Sequence, residues 1–351
     1  MLDYLVVGLG LAGTCFCEVL EQHKKSFKVI SDTSQQASVV AGGLYNPVIL
    51  KRFTLAWNAD EQMRKSIPFY KTLEQKLNVK LDYKLRVLRR FASVEEQNGW
   101  YEAADKPGLS SFLLLEIYKN SNPSIDAPFQ YGEVAKTGRI DTPTLLKAYS
   151  NYLGQQNQLL NETFDYALLK VNKDYVAYGS LKAKRVVFAE GFGLKTNPYF
   201  NYLPLNGTKG ELLTIKCPQL KEANVIKSSV FIIPLGEDLY RVGATYKWKD
   251  KTNEPTIESK QELIDKLKTF LKCDFELVDH VAGIRPTVTD RRPLVGQHPK
   301  YKNLYVLNGF GSRGVLIGPY ASKQLFDFIE NKSDFDSEMN IERFASKHQS
   351  V

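Results

Sequence analysis

Thiol and imidazole chemistry have little material in this chain. Four cysteines, Cys15, Cys17, Cys217 and Cys273, occur in 351 residues, and none forms a CxxC pair. So long and cysteine-poor a chain is not a disulfide-stapled scaffold, and the four read as reduced thiols of a cytoplasmic protein. Histidines are equally few: His23, His280, His298 and His348. No metal site is expected from this inventory. Long apolar runs are absent too. The longest weakly polar stretch, Tyr4 to Gly13, contains three glycines and falls far short of the ~20 apolar residues that span a bilayer. No basic region precedes Leu5-Val6-Val7, so no targeting segment is expected. Internal repeats and low-complexity segments are missing as well.

What remains is ordinary globular material. Hydrophobic residues make up 43% and charged residues 25%, which excludes a disordered or collagen-like chain. At ~150 residues per domain the length predicts about two domains. The net charge is +8 and unevenly placed. From Glu61 to Arg90 nine lysines and arginines face three acids. Such a run is a solvated face or a patch for an anionic partner, RNA included.

The N-terminus carries the clearest motif. Tyr4–Val7 reads as a buried strand, Thr14–His23 as a helix and Phe27–Ile30 as a second strand, one βαβ unit. Between strand and helix lie Gly8, Gly10 and Gly13 in GxGxxG spacing. Gly8 permits the tight turn, Gly10 lets a pyrophosphate approach the backbone, and Gly13 lets helix and strand pack closely. Leu11 and Ala12 open the helix, whose N-terminus offers N–H groups to phosphates. Asp32, followed by Thr33, ends the second strand 24 residues after Gly8, where an acid can accept hydrogen bonds from a ribose. The pattern points to dinucleotide binding without separating FAD from NAD(P).

Further along, helices are expected over 58–78, from Asp141-Thr142-Pro143 to about Leu153, and over 257–272. Leu81–Ala92 is strand-like, and 118–138 reads as loop and edge strands. Short strands are expected at Ala167–Val171, Val176–Tyr178, Arg185–Ala189, Glu211–Ile215, Val230–Pro234, Leu239–Ala244 and Leu304–Leu307. A last helix is expected over Pro319–Ile329. Two more glycine turns follow strands, at Ala189-Glu190-Gly191 and from Gly309 to Gly318. The second places Gly309, Gly311, Ser312, Arg313, Gly314 and Val315 ahead of a helix, as a flavin's negative charge near N1 would require.

These segments together resemble the D-amino-acid oxidase/glycine oxidase/sarcosine oxidase (DAO) family of FAD-dependent oxidoreductases. GLGLAG with Asp32, RVVFAEG, Asn206–Glu211, Tyr240–Thr245 and Gly283-Ile284-Arg285-Pro286 with Asp290 carry the likeness. Val288 departs from it, where the family often has threonine. Gly42-Gly43-Leu44-Tyr45-Asn46-Pro47 is similar to the oxidoreductase half of the enzyme that matures 5-aminomethyl-type wobble uridines in tRNA.

The resemblance implies an α/β fold with an α+β substrate part: a Rossmann-type FAD-binding domain (1–80, 139–203 and 281–351) with an inserted mixed or antiparallel-sheet substrate domain (81–138 and 204–280). It implies FAD, held non-covalently because no cysteine follows Cys273, and hydride transfer from a small amine or amino acid to flavin N5. Gly42, Gly43 and Leu44 would approach the flavin, and Arg285 would pair with a substrate carboxylate while also touching the cofactor region. Tyr240, Tyr246 and Lys51 are candidates for the pocket, Lys51 also for promoting reaction with oxygen. The electron acceptor is left open, with dioxygen among the candidates. A tRNA-modifying oxidoreductase, and a flavoprotein that turns over no amine, remain alternative readings.

Overall fold

The computed structural model describes residues 1–348, the His348 side chain excepted. Strand β1 (Leu2–Val7), helix α1 (Leu11–Gln22) and strand β2 (Phe27–Ser31) form the expected βαβ unit, with β1 and β2 parallel. Helix α1 starts three residues earlier than its polar-apolar pattern indicates. Leu11, Ala12 and Gly13 are themselves buried, so the first turn packs like the rest.

Five parallel strands form the heart of the first sheet, in the order Leu159–Asn161, β2, β1, Leu181–Phe188 and Leu304–Asn308. Antiparallel strands Leu169–Val171, Val176–Tyr178 and Leu294–Gln297 extend it. Apolar clusters cover both faces, as a parallel sheet needs. One holds Tyr4, Val6 and Val29 against α1 and the helix Gly314–Asn331, and the other holds Leu5, Val7 and Ile30.

The second sheet has eight strands. Their order is Glu276–Arg285, Thr208–Lys216, Leu239–Gly243, Phe231–Gly236, Val225–Lys227, Val87–Arg90, Tyr131–Val134 and Leu113–Tyr118. All pairings are antiparallel except Val225–Lys227 with Val87–Arg90. Its outer face buries Leu213, Ile232, Tyr240 and Val242 against the helix Ile257–Lys268.

Several elements differ from expectation. Leu81–Ala92 is two strands. Asp82–Lys84 pairs with Gly138–Ile140, whereas Val87–Arg90 enters the large sheet. Thr137 holds the break: its hydroxyl donates to the Leu85 carbonyl and accepts from the Val87 N–H. Residues 166–168 are a 3-10 turn and not strand. The helix Val94–Ala104 and the strands Leu113–Tyr118, Leu159–Asn161, Glu276–Arg285 and Leu294–Gln297 were not expected. The last helix begins at Gly314, with Pro319 inside it. Proline removes the N–H that would bond the carbonyl four residues back. That carbonyl, on Val315, accepts from the Tyr70 hydroxyl at 2.8 Å, and Leu316 O accepts from Ser66 at 2.7 Å. Helix Ala59–Leu77 thus satisfies the backbone that Pro319 leaves open.

Candidate active site

A cavity of about 1200 Å³ opens between the C-terminal ends of the parallel strands and the inner face of the second sheet. Ligands of open α/β sheets bind at such strand ends. Gly8, Gly10, Leu11, Ala12, Asp32 and Thr33 line one end. Gly42, Gly43, Leu44, Ala189, Glu190, Gly191, Gly311, Ser312, Gly314, Val315 and Arg285 also line it.

The glycines have different jobs. Gly8 has φ +95°, and a Cβ there would fall 2.5 Å from Ala189 O. A Cβ on Gly13 would fall 2.0 Å from Gly8 O. Both are required by the turn itself. Gly10 is different, because a Cβ there would meet only the Ser38 hydroxyl, at 3.1 Å. Its free side faces the cavity.

Two helices point uncapped N-termini at this space. Helix α1 begins on Gly10 and the last helix on Arg313, neither with a side-chain cap. The Leu11 N–H reaches Ser38 Oγ at 3.1 Å. Such ends stabilise negative charge. Asp32 closes the β2 edge. Burial would raise its carboxyl, but bonds from Ser34 and Thr163 outweigh that and hold it below its ordinary value. A cavity with two uncapped helix ends, an open glycine between them and an ionised acid at the ribose distance fits FAD, from α1 at one end to the last helix at the other.

Arg285 stands on the second-sheet side of the cavity. It ends the strand Glu276–Arg285, paired with Thr208. Its guanidinium lies flat on Gly210, where a Cβ would stand 2.0 Å from Nη2. One Nη1–H donates to Thr245 O at 3.2 Å, and the Tyr246 ring lies 5.3 Å away. Among the described residues no carboxylate pairs with it. Burial therefore pushes the guanidinium below its ordinary value, with only Tyr246 opposing. A desolvated cation without an anion is costly unless a ligand supplies the charge.

Glu190 is the other perturbed group. Tyr166 donates to one of its oxygens and Asn197 Nδ2 to the other at 2.7 Å. Burial outweighs these bonds, and its carboxyl is pushed up to about 7.

Other expected residues stand elsewhere. Tyr240 faces the outer core of the second sheet, and its hydroxyl accepts from the Glu222 N–H at 3.1 Å. Strand alternation sends it away from the cavity. Lys51 lies in the exposed turn between Val48–Ile49 and Thr54–Leu55 and does not line the cavity. Tyr246 is 40% exposed and acts behind Arg285. Gly13 and Gly309 shape turns without lining the space. Arg313 is half-buried behind it, donating to Asn46 O at 2.8 Å, and desolvation pushes its guanidinium down to about 10. His280 belongs to the frame, with Nε2 2.9 Å from Glu211. Sequence reading missed the 34–41 loop, Asn308 and Phe310, which also line the cavity. Only position after a strand end could have signalled them.

The basic stretch is largely neutralised. Of its nine cations, seven have a carboxylate within 4 Å: Arg64, Lys76, Lys80, Lys84, Arg86, Arg89 and Arg90. No helix among the described residues is long and apolar enough to cross a membrane.

Comparison with known proteins agrees with this geometry. A family model described as "FAD dependent oxidoreductase" (DAO) matches residues 3–327. The glycine oxidase of Pseudomonas aeruginosa is 22% identical, over 93% of this chain and 94% of its own length. That of Bacillus subtilis is 26% identical, over 58% of this chain and 60% of its own. The tRNA 5-methylaminomethyl-2-thiouridine biosynthesis bifunctional protein of Legionella pneumophila is 25% identical over 57% of this chain, but only 34% of that protein is covered. Among solved structures, the glycine oxidase of Bacillus cereus superposes with a TM-score of 0.75 at 22% identity, covering 95% of this chain and 96% of its own. The FAD-bound L-α-glycerophosphate oxidase of Mycoplasma pneumoniae reaches 0.70 at 16% identity, covering 97% of both.

Proposed function

The chain belongs to the DAO family of FAD-dependent oxidoreductases, and from that premise we propose that it oxidises an amine bearing a carboxylate, in the simplest case an amino acid. The imine product would hydrolyse to a keto compound in water. The observation that carries this reading is the buried guanidinium of Arg285, which lines the cavity without a carboxylate partner. Its planar fork suits a carboxylate, making two parallel charge-assisted bonds.

FAD, when bound, is the electron sink of this chemistry. The chain's own residues bind and orient. Gly8, Gly10 and the α1 N-terminus, with Gly13 shaping the turn behind them, would hold the pyrophosphate, Asp32 the ribose, and Gly311, Ser312, Gly314 and Val315 the flavin end. Arg285 would fix the substrate carboxylate, with Tyr246 stacked behind it. No strong base is called for if the amine binds neutral. In this reading segments 1–80, 139–203 and 281–351 serve the cofactor, and 81–138 and 204–280 the substrate. The thiols stay reduced, as in a cytoplasmic protein. The acceptor that reoxidises the flavin is dioxygen or another oxidant.

The test is anaerobic bleaching of the bound flavin across a panel of amino acids and N-methyl amines. Bleaching by carboxylate-bearing amines supports the reading. A flavin that no amine reduces refutes it and favours a flavoprotein without amine turnover. The Legionella relative favours one further reading, oxidation of a modified uridine in tRNA. Co-purification with tRNA that is lost as salt rises would support it. The paired basic stretch lends it little, since only Lys65 and Lys71 there have no carboxylate partner among the described residues.

A further inference from the structure

Two of the four thiols stand in contact. Alternation along the strand Thr208–Lys216 sends Leu213 and Ile215 into the outer core of the second sheet, and Cys217 continues that row. Cys273 follows the helix Ile257–Lys268 and packs against the same core. The ladder between Thr208–Lys216 and Glu276–Arg285 ends with Lys216 opposite Glu276, so both cysteines sit at its open end. Their sulfurs are 3.3 Å apart, across 56 positions of sequence.

The backbone holds them there. The Cys217 N–H donates to Asp238 O at 2.9 Å, and the Cys217 carbonyl accepts from the Leu220 N–H at 3.2 Å. Beside Cys273, the Lys272 N–H donates to Ser124 O at 2.9 Å. A disulfide places its sulfurs about 2.05 Å apart. The two need only approach by about 1.2 Å to bond.

The thiols are unequal. Cys217 is fully buried, its Sγ–H donates to Asp274 O at 3.2 Å, and burial pushes its thiol up. Cys273 is partly exposed. An oxidant from solvent therefore meets Cys273 first, with Cys217 in contact behind it. Cys15 and Cys17 offer no such arrangement. Both are buried in α1, two residues apart, and such positions do not face each other on a helix.

We propose that Cys273 and Cys217 form a peroxide-sensitive redox site, with Cys273 attacking and Cys217 resolving, which closes into a reversible disulfide across the open end of the second sheet. The Cys273 thiolate attacks the peroxide. An S–O bond forms, the O–O bond breaks, and one oxygen leaves as water with the thiol's proton. The Cys217 sulfur then attacks the sulfenic sulfur. The S–S bond forms, the S–O bond breaks, and the Cys217 proton leaves with that oxygen as a second water. Two thiols are oxidised and one peroxide is reduced. At rest the pair is reduced, as redox-sensing thiols in a reducing compartment are. Only the origin of the peroxide rests on the function proposed above, since a flavin reoxidised by dioxygen releases it. The site itself lies apart from the cavity. Seven residues of strand, ~23 Å at ~3.3 Å each, separate Cys217 from Gly210, on which Arg285 lies.

The experiment treats the FAD-loaded protein with hydrogen peroxide, quenches it, unfolds it and caps the remaining thiols with iodoacetamide. Wild type should lose the mass of two hydrogens, keep two of its four thiols free, and yield one linked peptide pair holding Cys217 and Cys273. The linked form should melt roughly 5 °C above the reduced one, and dithiothreitol should reverse the change. Cys217→Ser should stop at a sulfenic acid on Cys273 that dimedone traps. Cys273→Ser should leave Cys217 a thiol. Wild-type FAD content certifies the fold of both variants, and where a variant loses its FAD the wild-type peptide map decides. Four free thiols after peroxide, linkage through Cys15 or Cys17, or oxidation of wild-type Cys273 to sulfinic acid overturns the proposal. Dimedone labelling of Cys217 in Cys273→Ser overturns it too. No readout here needs an amine substrate, so this site can fail while the proposed function stands, and the reverse.

Discussion

The basic stretch and the cavity treat positive charge in opposite ways. Along residues 61–90 the arginines and lysines sit against carboxylates, as Arg86 does with Glu133 and Arg89 with Glu96. At the cavity, Arg285 makes no ion pair among the described residues, and Arg313 behind it donates to the Asn46 carbonyl. Helices Val94–Ala104 and Ile257–Lys268 are capped by the Ser93 and Thr256 hydroxyls, while α1 and Gly314–Asn331 meet the cavity without a side-chain cap. A density of basic residues in sequence marks a satisfied surface here. Arg285, the cation proposed to act on substrate, is isolated in sequence and is recognised by the partner it lacks.

That contrast can be broken at graded cost. The largest effect is expected at Gly10. Gly10→Val should abolish FAD binding while the apoprotein keeps its fold, since a side chain there fills the open side of the α1 turn. Gly13→Val should prevent folding, because its Cβ would meet the Gly8 carbonyl at 2.0 Å. FAD content and circular dichroism separate the two. If both variants fold and bind FAD, the cavity assignment is wrong.

Glu190 sharpens the comparison, being an acid that also lacks a counter-charge. Its folded pKa of about 7 lies above its ordinary 4.5. The folded state therefore holds the proton more tightly. The apoprotein should be most stable below about pH 4.5 with respect to this group, and should lose up to about 3 kcal/mol as pH rises to 7. Glu190→Gln should flatten that slope in a chemical-denaturation series from pH 5 to 8. An unchanged slope would show that Glu190 ionises freely.

The smallest effect is expected on the surface. The Arg86 side chain is 47% exposed in its pair with Glu133. Arg86→Met should cost less than about 1 kcal/mol in a denaturant midpoint, as exposed pairs do. It should leave substrate-driven flavin reduction untouched. A loss of activity there would return function to the basic stretch.

The βαβ unit, Asp32 and the glycine turn after Asn308 were legible because each rests on local chemistry: apolar β-branched runs, a glycine that must avoid a carbonyl, an acid at a strand end. The helix Val94–Ala104 was legible too, although it was missed. Ser93 and Glu96 carry the spacing of a capping box, with Glu96 N–H on Ser93 Oγ, and Glu96 Oε2 accepting from the N–H of Ala92, one residue before the cap. The strand Glu276–Arg285 was not legible, because its first four residues are exposed, Leu277 and Val278 among them, and its place comes from pairing with Thr208–Lys216. Tyr240 and Arg241 show the same limit. Adjacent residues take opposite faces, and only the register says which one enters the outer core. Pro319 hid the first turn of the last helix, because its lost bond is made good by Tyr70, 249 positions away in sequence. The distance in chain between Tyr70 and Val315, 245 residues, has no local trace.

The central claim is that Arg285, desolvated and unpaired, waits for a substrate carboxylate. It is tested most directly by anaerobic flavin reduction with a carboxylate-bearing amine and with its decarboxylated analogue, in wild type, Arg285→Ala and Arg285→Lys. Removing the charge-assisted pair should weaken use of the acid by roughly 2–4 kcal/mol in kred/Kd, with Lys recovering only part. The decarboxylated analogue should be affected little, and FAD content should stay at the wild-type level. If Arg285→Ala reduces as fast as wild type with the acid, or is isolated without FAD, Arg285 is not the carboxylate anchor.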